Sequence, residues 1–156
     1  MRLEETLGEL LVKKGWTISV AESCTSGLLA ARITDVAGSS RYFKGGVVAY
    51  QNELKERLLG VPARAVEEGG VSEEVARAMA QGCRERLRTD IALGITGIAG
   101  PGGGTRQTPV GTIFVAIATP GETRCERFSF SGGRASNREK AVQAALKMAI
   151  QTTKVD

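Results

Sequence analysis

Apolar residues recur along this chain with two alternating periods. Leu3, Leu7, Leu10 and Leu11 share one helical face, so Leu3 to Lys14 reads as an amphipathic helix. Lys13 and Lys14 suit its negative end, and Gly15 stops it. Thr17 to Ala21 is a short apolar run that reads as a strand. It ends in small polar residues, and a helical pattern resumes from about Ser26 to Val36, ending at Gly38. Gly46 to Tyr50 reads as a second strand. Asn52 is placed to cap a helix from Glu53 to Leu59, which Gly60 closes. Ser72, followed by Glu73 and Glu74, starts a helix that reaches about Leu87, with Val75, Met79, Cys83 and Leu87 as its stripe. Ile91 to Thr96 reads as a buried strand that runs into a glycine loop. Val110 to Ala118 is the longest apolar run, and Pro120-Gly121-Glu122 turns it into a hairpin with Thr123 to Phe130. Ser136 and Glu139 match a capping box for a last helix. Its core face is Ala141, Val142, Ala145, Leu146, Ala149 and Ile150.

About five strands and five helices, alternating early and closing with a hairpin and a helix, predict an α/β fold. The expected form is a three-layer α/β/α sandwich on a mixed sheet of about five strands. Residues 1–156 carry no linker, repeat or low-complexity segment, so a single domain is expected.

Composition narrows the chemistry. No apolar run approaches the roughly 20 residues that span a bilayer. Met1-Arg2-Leu3-Glu4-Glu5 has no signal-peptide core, so a cytoplasmic protein without membrane attachment is expected. The net charge is +4 and scattered, and aromatics are 4% of residues, which argues against nucleic-acid binding. A mildly basic chain suits a small anionic substrate. Cys24, Cys83 and Cys125 form no pair with metal or disulfide spacing. The chain has no histidine, so a Ser-His-Asp triad and a histidine-containing metal site are excluded within it. If this is a hydrolase, another group must move the protons.

Four element boundaries could carry chemistry. Ser23, Thr25 and Ser26 lie where the first strand meets a helix, whose free N–H groups favour negative charge. Ser23 there reads as a nucleophile or phosphate ligand, and a helix cap is the alternative. Tyr50 and Lys55 flank the turn after the second strand. A lysine depressed by burial, or a tyrosine near a cation, can replace histidine as base. The alternatives are a core-edge aromatic and a solvated lysine. Glu22 reads as a surface carboxylate or as a group that holds Lys55 or Ser23, and Cys24 as a small buried hydrophobe. The loop Thr96 to Thr105 contains Gly97, Gly100, Gly102 and Gly103, whose N–H groups can crowd around an anion or oxyanion. It matches neither the Walker A loop nor the dinucleotide fingerprint. Arg134, after Ser131-Gly132-Gly133, could bind phosphate bidentately, with Arg138 as a second candidate.

Together these stretches resemble one family. They are Ala21-Glu22-Ser23-Cys24-Thr25, Ala37-Gly38-Ser39-Ser40, Val48 through Lys55, Gly60-Val61, Gly70-Val71-Ser72-Glu73, Thr96 through Gly103, Pro109-Val110-Gly111-Thr112 and Phe130-Ser131-Gly132. The family is the CinA C-terminal domain, with enzymatic members that are nicotinamide mononucleotide amidohydrolases of the PncC type. The chain resembles a stand-alone copy of that domain, without the molybdopterin-binding-like N-terminal domain of full-length members. The resemblance implies hydrolysis of the carboxamide of nicotinamide mononucleotide to nicotinate mononucleotide and ammonia, with no metal or other cofactor. It implies Ser23 as nucleophile and Tyr50 and Lys55 as proton-transfer partners. Thr25, Gly97, Gly100, Gly102, Gly103, Thr105 and Arg134 would then hold the ribose phosphate and the oxyanion, an assignment inferred from their positions. Two residues depart from the family pattern: Ser26 and Gly133 stand where many members have Gly and Asp. Not every member is an amidase, so the alternative is a non-catalytic module that binds a pyridine nucleotide or a partner in DNA uptake or repair. A homo-oligomer, most simply a dimer, is expected because symmetric dimers are the commonest assembly.

Overall fold

In the computed structural model, which describes residues 1–154, six helices flank one five-stranded sheet. The order is α1 (Leu3–Lys14), β1 (Ile18–Glu22), α2 (Leu28–Thr34), a short 3₁₀ turn (Ser39–Arg41), β2 (Phe43–Val48), α3 (Asn52–Leu59), α4 (Ala63–Glu67), α5 (Glu73–Leu87), β3 (Ile91–Gly97), β4 (Thr112–Ala118), β5 (Thr123–Ser129) and α6 (Arg134–Lys154). The spatial strand order is β2-β1-β3-β4-β5. β1, β2 and β3 run parallel, while β4 and β5 are antiparallel to their neighbours. This is the mixed α/β sheet expected from the pattern. Among the described residues no helix is long and apolar enough to cross a membrane.

Strand alternation sorts the side chains. Ile18, Val20, Ile91, Leu93, Ile95, Ile113, Val115 and Ile117 pack on one face, against Leu7, Leu11, Leu29, Ile33 and the apolar stripe of α6. The opposite face presents Ala21, Ala92, Phe114, Ala116 and Ala118 to α3, α4 and α5. Gly94 belongs to this second face. A Cβ there would meet the Ala76 carbonyl at 2.7 Å and the Ala80 amide at 2.8 Å, so α5 lies directly on the sheet backbone.

Several boundaries differ from expectation. β2 starts three residues early, at Phe43, because Phe43 pairs with Ile18 across a register shift. The five-residue helix α4 went unread, since five residues are too few to show a period. Ser72 does cap α5, accepting the Val75 amide at 3.2 Å. The capping box on α6 does not form, because the helix starts at Arg134 and Ser136 lies inside it.

Candidate active site

The three parallel strands end at the same edge of the sheet, and the chain leaves β1 and β2 towards opposite faces. Such a point in an open α/β sheet is where ligand crevices form. Here a cleft of about 250 Å³ is lined by Ser23, Cys24, Tyr50, Asn52, Lys55, Gly69, Val71, Gly97, Ile98, Ala99, Gly100, Gly102, Gly103 and Arg134.

Ser23 is the residue after β1. Its amide donates to the Ile95 carbonyl at 3.1 Å, which extends the β1–β3 pairing by one residue. Alternation continued from Ser19 and Ala21 puts Ser23 on the small-residue face, and Ser23 and Lys55 line the same cleft. Its neighbour Glu22 points the other way and is buried. Its carboxylate accepts the Thr25 hydroxyl at 2.6 Å and the Leu29 and Ala30 amides at 2.9 and 3.0 Å. Glu22 therefore caps α2 from the preceding strand, and it holds neither Lys55 nor Ser23. Ser26 follows with φ of 50°, in the left-handed region.

Lys55 is 3% exposed, so it is not a solvated helix residue. Its Nζ donates to the Gly70 carbonyl at 3.0 Å and to Asn52 Oδ1 and Thr96 Oγ1, both at 3.3 Å. Burial pushes its pKa down to about 8, partly countered by the nearby Cys24 thiol. Burial also pushes the Cys24 thiol up to about 11. Cys24 is thus a protonated, buried side chain at neutral pH. Thr96 Oγ1 donates to the Gly70 carbonyl at 2.8 Å, which leaves its lone pairs for Lys55. Gly70 sits tightly there: its φ is 73°, and a Cβ would fall 2.0 Å from Asn52 Oδ1.

Tyr50 is 53% exposed at the mouth of the cleft and is no core-edge aromatic. Its hydroxyl accepts from Arg134 Nη2 at 3.0 Å, while Arg134 Nη1 donates to the Gly100 carbonyl at 2.8 Å. Arg134 is held in this way without an acidic neighbour at position 133, where a Cβ on Gly133 would meet nothing within 4 Å.

Eight of the ten expected site residues line the cleft: Ser23, Tyr50, Lys55, Gly97, Gly100, Gly102, Gly103 and Arg134. Two expected substrate contacts do not. Thr25 is fully buried and donates to Glu22. Thr105 is exposed and paired with Thr108 at 2.8 Å. Arg138 is not free for phosphate either. Its Nε and Nη2 donate to the Cys24 and Thr25 carbonyls at 2.9 and 3.0 Å. Three contributors had no role in the sequence reading. Asn52 was read as a cap, yet it faces Lys55. Thr96 was read only as the start of a loop, although it lies two residues beyond Gly94 on the same strand face. Asn137 is fully buried and binds the Ala99 carbonyl at 3.0 Å and both backbone groups of Gly132. Its spacing from Ala141 and Ala145 puts it on the core stripe of α6. Among the described residues no group of three or more His, Cys, Asp or Glu side chains could hold a metal ion.

Comparison with known proteins bears on the family and the fold. A family model of the CinA C-terminal domain matches residues 1–153. A CinA-like protein of Citrifermentans bemidjiense is 55% identical over 133 residues, which is 85% of this chain and 32% of that protein. The chain spans about a third of the length of the curated relatives it matches. The crystal structure of a competence or damage-inducible protein from Enterobacter asburiae superposes with a TM-score of 0.93 at 33% identity, covering 97% of this chain and 96% of the other. The competence/damage inducible protein CihA of Agrobacterium tumefaciens gives 0.92 at 36% identity, covering 97% and 96%. This chain belongs to the CinA C-terminal domain family.

Proposed function

We propose that this protein hydrolyses the carboxamide of nicotinamide mononucleotide, with Ser23 as nucleophile and Lys55 as base. The observation that carries this reading is the convergence of Ser23, Tyr50 and a buried Lys55 on one cleft. A binding module has no need of a lysine whose pKa is depressed to about 8. A neutral Lys55 amine can take the Ser23 proton as Oγ bonds to the carboxamide carbon. To do so the Lys55 amine turns from the Gly70 and Thr96 acceptors towards Ser23, which lines the same cleft. Backbone N–H groups of the Ser23 turn or the glycine loop face the developing oxyanion. The intermediate collapses by breaking the C–N bond, and the leaving nitrogen takes that proton back from Lys55, directly or relayed through the Tyr50 hydroxyl, and departs as ammonia, leaving Lys55 neutral again. Water then attacks the ester, gives its proton to Lys55, and releases the carboxylate and the Ser23 hydroxyl. Arg134, at the start of α6, suits the substrate's phosphate.

The test is to incubate purified protein with nicotinamide mononucleotide in the presence of EDTA. Equal amounts of ammonia and nicotinate mononucleotide are expected. Binding of the nucleotide with no product would favour the non-catalytic binding module instead.

A further inference from the structure

The turn that carries Ser23 has few hydrogen bonds of its own. Between its own residues the backbone makes two, Ser26 N–H to the Ser23 carbonyl at 3.1 Å and Leu28 N–H to the Thr25 carbonyl at 3.0 Å. The Cys24 and Thr25 amides donate to no protein acceptor among the described residues. The turn also bends through two left-handed residues, Ser26 at φ 50° and Gly27 at φ 100°. Such a bend persists only where its surroundings over-determine it.

Two side chains supply that restraint from opposite sides. Glu22 grips the turn from β1 through the Thr25 hydroxyl and the first amides of α2. Arg138 grips it from α6 with a fork, Nε on the Cys24 carbonyl at 2.9 Å and Nη2 on the Thr25 carbonyl at 3.0 Å. A guanidinium is planar and rigid, so two bonds from one fork fix two successive peptide planes at once. Its neighbours on α6 hold the other walls of the cleft: Arg134 binds Gly100 and Tyr50, and Asn137 binds Ala99. The N-terminal end of α6, Arg134 to Arg138, thus ties the nucleophile turn to the glycine loop.

Resting on the amidase reading, we infer that Arg138 is a positioning residue, whose fork on the Cys24 and Thr25 carbonyls holds Ser23 in its attacking position. It touches no reacting atom and acts through the turn. Its effect therefore falls on kcat, since a misplacement of about 1 Å can cost about 10²-fold in rate. Substrate affinity, which rests on other walls of the cleft, stays nearly unchanged.

The experiment compares wild type with Arg138→Ala, Arg138→Lys and Arg32→Ala. Arg32 pairs with Glu139 at 2.7 Å and joins α2 to α6 without touching the turn, so its variant controls for simple loss of packing. Arg138→Ala should lower kcat about 10- to 100-fold with KM within about 2-fold, and guanidinium ion should restore part of it where methylammonium does not. Arg138→Lys should fall similarly, because a point charge cannot reproduce the fork. Arg32→Ala should lose stability and keep its kcat. A second readout needs no turnover: alkylation of Cys24 by iodoacetamide, followed peptide by peptide, should quicken in Arg138→Ala and not in Arg32→Ala. Unchanged kcat and unchanged Cys24 alkylation in Arg138→Ala would overturn the inference, as would an equal loss of kcat in Arg32→Ala. If wild type releases no ammonia, the amidase reading fails, and Cys24 alkylation alone decides whether Arg138 holds the turn.

Discussion

The two faces of the sheet are built from the same three central strands and do different work. The face under α1, α2 and α6 is Ile, Leu and Val at almost every position. Burying each such side chain contributes about 1.5–3 kcal/mol, so this face supplies most of the cohesion. The face under α5 carries Ser19, Ala21, Ala92, Gly94, Thr96, Ala116 and Ala118, with Phe114 as a large exception. Small residues let the α5 backbone settle on the sheet, and they leave room for polar side chains. Ser19 there bonds Thr89 and Cys83. Where β1 and β3 end, the same face presents Ser23 and Thr96 beside Lys55. One face is thus filled for stability, and the other is thinned so that chemistry fits at its rim.

The comparison can be broken in three ways, beginning with the largest effect. Lys55→Met should lower kcat by about 10²–10⁴-fold, the usual share of a positioned general base. In wild type kcat/KM should climb with pH and level off above about 8, because the amine must be neutral to accept a proton. The stability sign follows from the same shift. Between pH 8 and the ordinary lysine value of 10.5 the unfolded chain binds more protons than the folded one, so this group makes stability rise with pH. Denaturant midpoints measured across that window should rise less in Lys55→Met than in wild type. Loss of stability with full activity would reverse the roles assigned to the two faces.

Neighbouring residues on β3 give the next test. Leu93→Ala removes bulk from the filled face and should cost about 2–5 kcal/mol. Gly94→Ala adds one carbon to the thinned face, against backbone that cannot yield, and should cost about 1–3 kcal/mol. Urea unfolding of both variants checks this. A neutral Gly94→Ala would mean that α5 does not need its close seat. The smallest effect is expected at the rim. Ser26→Gly relieves a left-handed residue at a cost of flexibility in the unfolded chain, so a net gain below about 1 kcal/mol is expected. A loss of stability on the same denaturant scale would show that the Ser26 side chain contributes more than its backbone costs.

Much of the framework beneath this division was legible in the sequence. The short apolar runs of β1 and β3, the stripe of α5 and the apolar length of β4 mark the elements, while the division of the sheet into two faces emerges only once the strands are paired. Ser23, Tyr50 and Lys55 stood out because they sit at element ends in a chain without histidine. What stayed hidden depends on contacts between distant segments. Nothing local shows that Glu22 caps α2 rather than meeting Lys55, since the choice rests on which way its strand position faces. Nothing local shows that Arg138 reaches carbonyls 113 and 114 residues away in sequence. Thr96 was within reach, because counting in twos along β3 from Ala92 puts it on the chemical face. Thr105 was misjudged because its glycine loop folds out towards Thr108 before reaching it.

The most direct test of the central claim is the rate of ammonia release from nicotinamide mononucleotide by Ser23→Ala beside wild type, at equal folded concentration. Ser23→Ala should lose at least about 10³-fold in kcat with its unfolding midpoint unchanged. Turnover near the wild-type rate would contradict the account, since no hydroxyl at the end of β1 would then be needed for the reaction.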